Sequence, residues 1–297
     1  MHPIPRHENP MSAVDPWLAR LSRALPHHAL SRLVHRLARI ESPRVQPLLR
    51  AFVRRFELDM SEAAEPDIAA YPSFNALFTR ALRDGVRPLE GDAATVVSPA
   101  DARVSASGRI EAGRIFQAKG HDYSVEELLG GENDLAVPFR DGHFVTLYLS
   151  PRHYHRLHMP LDGTLTHAIH VPGRLFSVAP RIVRHVPRIY ARNERVVALF
   201  DTRFGPMATA LIGAQNVGSI ETVWAGEITP PAAREASCVT WPERDIALER
   251  GAEMGRFNLG SSVVLLLPPG PLELDPALTP ETEVRVRSAL GRYTDRD

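Results

Sequence analysis

Three stretches carry residue types that can do chemistry. Pro151-Arg152-His153-Tyr154-His155-Arg156-Leu157-His158-Met159-Pro160 places three histidines within six residues. Histidine titrates near neutral pH, so such a cluster offers general acids and bases or metal ligands. In an extended segment His153 and His155 share a face, which permits a zinc pair. No Cys or His pair elsewhere has a recognised ligand spacing. The expectation is therefore no metal, with the histidines either structural or acid–base groups.

The second stretch is Met254-Gly255-Arg256-Phe257-Asn258-Leu259-Gly260-Ser261-Ser262, followed by the apolar run Val263–Leu267 and a Pro268-Pro269-Gly270 stop. The run has strand length and β-branched residues at its start. Two hydroxyls thus sit where a glycine meets a strand expected to be buried. Either Ser261 and Ser262 bond locally at a loop-to-strand junction, or Ser261 is a reactive serine held at the edge of a rigid element. The third stretch, Ser98-Pro99-Ala100-Asp101-Ala102, reads as a turn between strands. An aspartate there can also orient a histidine, as in a triad. Asp101, His158 and Ser261 occur in that order, but no G-x-S-x-G elbow surrounds Ser261. A serine hydrolase is permitted and not indicated.

The elements that must position these groups are mostly strands. From Val96 onward, short β-rich runs separated by Gly, Pro and Asp cover 102–107, 143–149, 164–171, 195–201, 207–213, 217–224 and 262–267. Ahead of them, residues 15–57 read as two or three amphipathic helices, with Leu30, Leu33, Val34 and Leu37 on one stripe and Leu48, Leu49, Phe52, Val53 and Phe56 on the next. This region holds nine arginines against three acids, Asp15, Glu41 and Glu57. Apolar stripes backed by arginine suit either an interfacial helix on anionic lipid or a helical hairpin with a solvated basic face. Residues 73–82 predict another short helix with Ser73 as N-cap. The fold class is therefore α+β, a β-rich catalytic body behind an amphipathic helical N-terminal region. Its expected divisions are a disordered 1–14, a helical 15–85, a β-rich 86–270 and a polar tail, 271–297, with a helix over 281–292.

Composition narrows the function. The chain has 297 residues, 44% hydrophobic and 24% charged, which is ordinary for a globular protein that buries a full core. One cysteine, Cys238, excludes an internal disulfide and any multi-cysteine metal site. The N-terminus shows no apolar signal-peptide core, and no stretch reaches the ~20 apolar residues of a membrane span. A formal net charge of zero gives no indication of nucleic acid. Among 35 Lys and Arg residues Lys119 is the one lysine, so a pyridoxal-phosphate reading would depend on it alone.

Taken together, the blocks resemble bacterial phosphatidylserine decarboxylase, the membrane-associated, pyruvoyl-dependent type, over roughly residues 45–270. The resemblance runs through Ser98-Pro99-Ala100-Asp101, Lys119-Gly120-His121, Tyr148-Leu149-Ser150-Pro151, Tyr154-His155-Arg156-Leu157-His158-Met159-Pro160, Val171-Pro172-Gly173, Ala191-Arg192-Asn193-Glu194-Arg195-Val196, Gly205-Pro206-Met207, Val217-Gly218-Ser219-Ile220-Glu221-Thr222-Val223-Trp224-Ala225-Gly226 and the final Leu259-Gly260-Ser261. Two positions depart from the family pattern. Ser262 stands where threonine is usual, and Ala102 where glycine is usual, which matters if that position needs positive φ.

The resemblance implies a proenzyme that cuts itself between Gly260 and Ser261 into chains 1–260 and 261–297. Ser261 becomes a covalent pyruvoyl group, with no pyridoxal phosphate and no metal. Asp101 and His158 activate Ser261, and His155 is the proton donor in decarboxylation. The substrate is phosphatidylserine, bound through a Schiff base, and the product is phosphatidylethanolamine. A homodimer of cut protomers is implied, peripheral on the cytoplasmic face of the cell membrane. Trp17, Leu33, Leu37 and Phe52 are the expected membrane contacts on an anionic surface. Deleting residues 1–57 is expected to spare self-cleavage and to weaken vesicle binding.

Overall fold

The computed structural model describes residues 27–118, 120–214, 219–228, 236–240 and 246–294. Two amphipathic helices come first, α1 (His27–Ala38) and α2 (Gln46–Phe56). In α1 the leucines Leu33 and Leu37 face outward, 52% and 54% exposed. In α2 Leu49 is fully buried, and Phe52 packs against Phe56, Phe74 and Phe78. Glu57 ends α2 in the left-handed conformation. The next helix, α3 (Phe74–Phe78), begins at Ser73, whose Oγ accepts from the Ala76 N–H at 3.2 Å, so the N-cap lies where the sequence places it.

The body is antiparallel. β1 (Thr95–Val97) and β2 (Ala102–Arg109) flank the Ser98–Asp101 corner, and β3 (Arg114–Ala118) with β4 (His121–Ser124) forms a hairpin. β5 (His143–Leu149) leads into the histidine segment, which contains β6 (Arg156–His158). Then come β7 (Gly163–Val171), β8 (Arg195–Thr202) and β9 (Gly205–Ile212). Short strands follow, β10 (Ile220–Thr222), β11 (Gly226–Ile228), β12 (Ser237–Thr240) and β13 (Ala247–Leu248). β14 (Glu253–Phe257) turns into β15 (Ser261–Leu267), and β16 (Leu272–Leu274), β17 (Glu283–Val284) and β18 (Ala289–Tyr293) complete the described chain.

The main sheet runs β12-β7-β8-β9-β15-β5-β2-β17, with β13 also on β7. A smaller sheet, β11-β10-β14-β6, carries the histidine strand, and a third is β1-β18-β16. β15 lies inside the main sheet between β9 and β5 and is buried at every residue. That is why its apolar run does not alternate with polar residues. Val263, Leu265 and Leu267 enter one core with Leu147, Leu157 and Phe257, and Val264 and Leu266 enter the other with Phe144, Phe176 and Tyr190.

Two expectations change. Residues 281–292 form no helix. The segment after 270 supplies β16, β17 and β18, which pair with the body, so it is no separate tail. These strands are only two to five residues long and carry Glu273, Glu283 and Arg292, so no strand pattern stands out in the sequence. Ala102 lies in β2, fully buried and outside the set of residues with positive φ, so alanine meets no backbone penalty there.

Candidate active site

Antiparallel pairing brings the three chemical stretches to one end of the main sheet. Ser261 opens β15 opposite Leu149, the last residue of β5, and Arg103 at the start of β2 pairs with Tyr148. β2 and β15 are therefore both neighbours of β5, about 10 Å apart at the ~4.8 Å strand spacing. That separation is too wide for a direct hydrogen bond between Asp101 and Ser261. The histidine segment leaves β5 at this same end.

Ser261 is fully buried, and its Oγ has no hydrogen-bond partner among the described residues. Two residues earlier, Leu259 adopts φ 141°, a conformation L-residues rarely take. The Leu259-Gly260 peptide lies at a cavity of about 230 Å³ walled by Phe52, Phe56, Phe78 and Tyr148. Space does not impose glycine at 260, because a Cβ there would meet nothing closer than the Leu149 carbonyl oxygen at 3.7 Å.

The three histidines have separate partners. His155 is fully buried and stacks on Phe78 with ring centroids 4.0 Å apart. Its Nε2 lies 3.1 Å from the Ser150 carbonyl, so Nε2 carries the proton and Nδ1, which has no partner, is the free lone pair. Burial, helped by the nearby charges of His153 and Arg80, pushes its pKa well below the ordinary histidine value. His158 donates from Nδ1 to the Gly251 carbonyl at 2.9 Å, leaving Nε2 facing the Tyr154 hydroxyl at 3.3 Å. Its pKa is also lowered, first by burial. His153 accepts from the Ser150 N–H at 3.0 Å through Nδ1 and pairs with Glu283 through Nε2 at 3.0 Å. Among the described residues no three His, Cys, Asp or Glu side chains converge as a metal site would need.

Asp101 is held elsewhere than on a histidine. Its carboxylate accepts from Arg87 Nε at 3.0 Å, Arg87 Nη2 at 2.7 Å and the Val286 N–H at 2.8 Å. Arg87 also reaches Glu62 at 2.7 Å. Among the described residues no hydrogen bond joins Asp101 to His158 or His158 to Ser261. The two segments do touch through their backbones, since the His158 N–H donates to the Pro99 carbonyl at 2.8 Å.

Asp101 lines a second, polar cavity of about 280 Å³ with Arg80, Arg152 and Glu283. Sequence reading missed Arg87, Arg80, Tyr154 and Phe78 as neighbours of the site. Arg87-Pro88 signalled only a chain breaker, and nothing in Arg80 or Phe78 marks a partner far along the chain. Leu33 and Leu37 are exposed, and so is Leu48. Phe52 is half-buried in the aromatic cluster and forms part of the cavity wall, so it does not stand outward beside them. Trp17 and Lys119 lie outside the described residues.

A family model described as phosphatidylserine decarboxylase matches residues 74–292, and one described as PSD matches residues 19–57. Curated relatives named phosphatidylserine decarboxylase proenzyme span most of the chain. One from Alkalilimnicola ehrlichii is 58% identical over 264 residues, covering 88% of this chain and 91% of the relative. One from Xanthomonas euvesicatoria is 52% identical over 273 residues, 92% and 97% of the two chains. One from Alcanivorax borkumensis is 49% identical over 289 residues, 97% and 99%.

Proposed function

The chain belongs to the phosphatidylserine decarboxylase family and is a decarboxylase, and from that premise we propose that it is made as a proenzyme that cuts itself between Gly260 and Ser261. The observation that carries this reading is a fully buried Ser261 Oγ without a partner among the described residues, directly after Gly260 and two residues after a strained Leu259. The hydroxyl attacks the Gly260 carbonyl, and the amide becomes an ester as the nitrogen of residue 261 is freed. Loss of the Cα proton and of the Gly260 carboxylate leaves dehydroalanine. Water then converts it to a pyruvoyl group with release of ammonia.

His158 is the base for Oγ in this proposal. Its Nδ1–H is fixed on Gly251, so Nε2 carries the lone pair, held only by a long contact with Tyr154. Asp101 supplies negative charge at the neighbouring corner, oriented by Arg87. These groups fit a covalent carbonyl at residue 261: the position is fully buried, on a strand inside the main sheet, and directly follows Leu259 and Gly260, which line the cavity. When present, that carbonyl would take the substrate amine as a Schiff base and draw off the electrons released with CO2.

His155 would deliver the proton that replaces CO2. It is locked by Phe78 and the Ser150 carbonyl, and its Nδ1, a lone pair in the resting neutral ring, would take up a proton shed by the substrate ammonium and then give it to carbon. The substrate is phosphatidylserine and the product phosphatidylethanolamine. A lipid with two acyl chains stays in the bilayer, so the protein would dock peripherally on the cytoplasmic face. Exposed Leu33, Leu37 and Leu48 among arginines support this, as does a cavity whose wall includes Phe52 and Phe56 of α2.

An intact mass spectrum of the purified protein tests the reading. The expected result is two chains, one ending at Gly260 and the other lighter than a serine-started 261–297 by one ammonia. A single uncut chain would sink it.

A further inference from the structure

An unbroken run of side-chain hydrogen bonds links helix α1 to the residue two before Gly260. Asn258 is 1% exposed and fixed on two sides. Its N–H donates to the Ser219 carbonyl at 3.0 Å and its Nδ2 to Ser219 Oγ at 2.7 Å, while its Oδ1 accepts from Asn75 at 3.1 Å. Ser219 Oγ in turn donates to Glu227 Oε1 at 2.5 Å. That same oxygen takes Arg39 Nη2 and His35 Nε2, each at 2.6 Å. His35 lies in α1, and Arg39 follows its last residue.

The chain is thus clamped on both sides of Leu259. Asn258 is anchored on Ser219, and Ser261 enters the sheet opposite Leu149. A non-glycine residue stays at a φ of 141° only when its surroundings over-determine it. Here the surroundings include these two anchors, and one of them ends at Glu227, where it meets His35 of α1 and Arg39 just after it. Hydrogen bonds to a charged acceptor are the strong ones, so Glu227 is the rigid joint of the run.

We propose that Asn258 and Glu227 are positioning residues for the cut at Gly260–Ser261, and that the seating of α1 on Glu227 sets how firmly the strained Leu259 turn is held. This rests on the self-cleavage reading. It adds that maturation depends on the amphipathic helix as well as on the groups around Ser261.

Cell-free synthesis, stopped and then followed by denaturing gel, reads the rate at which the 261–297 fragment appears. Glu227→Ala, Arg39→Ala and Asn258→Ala should each slow the cut at least fivefold. Glu227→Gln keeps an acceptor for Ser219 and Arg39 and should restore most of the rate. The double variant R39A/E227A should be no slower than E227A, because both act through one run. Leu259→Gly keeps every hydrogen bond but releases the strain, and should also slow the cut. Ile115→Ala, which thins the core away from the run, should lower the melting point and leave the rate unchanged. Wild-type rates in E227A and N258A would overturn the proposal, as would additive slowing in the double variant or slowing that follows the melting point. An uncut wild-type chain would instead overturn the cleavage reading, and this inference with it.

Discussion

The Asp101 carboxylate grips the Arg87 guanidinium with both oxygens, Nε to Oδ1 at 3.0 Å and Nη2 to Oδ2 at 2.7 Å. Both side chains are largely buried, and a third bond comes from Val286 in the segment that follows the proposed cut. Arg87→Met would leave a buried carboxylate with one backbone donor, which typically costs about 3–5 kcal/mol. The melting point should fall by on the order of 10 °C, and the chain should accumulate uncut. Asp101→Asn should stop the cut with less loss of stability. Melting curves and a denaturing gel of both variants check this; an R87M protein that melts and cuts like wild type refutes it.

Stability should fall as the pH drops below the ordinary histidine value of 6.5. His143, His153, His155 and His158 are all lowered, with burial the largest cause in each. The unfolded chain takes up their protons near 6.5 while the folded chain stays neutral until lower pH. The stabilisation is therefore present above 6.5 and lost as the pH falls toward the lowered folded values. Each group contributes up to about 1.4 kcal/mol per pH unit in that window. Urea unfolding at pH 7.5, 6.5 and 5.5 should show the fall, and one that stays level would disprove it.

His155→Phe should separate the two reactions. Phenylalanine preserves the stack on Phe78 but has no ring nitrogen. The chain should still cut itself while decarboxylation drops at least a hundredfold, a loss of general-acid size. The urea slope with pH should also become shallower. A variant that stays uncut would move His155 into the cleavage step.

The cut should not release the small fragment. Residues 261–294 hold β15 in the middle of the main sheet, β17 on β2 and β18 on β1. The cut protein should elute from gel filtration as one species and separate only in denaturant. Loss of the 261–297 fragment from a native column would contradict this.

Leu33, Leu37 and Leu48 are the leucines that stand outward on the two N-terminal helices. Replacing all three with glutamate should weaken binding to anionic vesicles more than tenfold and leave self-cleavage unchanged, as read by sedimentation and gel. Deleting residues 1–57 is a different experiment. It also removes Phe52 and Phe56 from the cavity wall and Arg39 from Glu227, so the cut should slow, whereas the sequence by itself predicts that it persists.

Local rules were enough for much of this molecule. Short β-rich runs marked the long strands β2, β5, β7, β8, β9 and β15 together with β10, Ser73 marked its helix start, and the unbroken apolar run Val263–Leu267 announced a buried strand. The order of blocks from Asp101 through His155 and His158 to Gly260-Ser261 was sufficient to recognise the family. Pairing far along the chain was not legible, because no residue's type names a partner 14 or 185 positions away, as Arg87 and Val286 are from Asp101. The same holds for β16, β17 and β18, which are too short and too charged to show a strand pattern and are fixed by their partners β1 and β2. Only packing decided that Phe52 turns into a cavity wall, and only the run through Glu227 and Ser219 tied α1 to Asn258. Propensity and pattern act over a few residues, whereas a site at the end of a sheet is assembled by register, burial and charge across the whole fold.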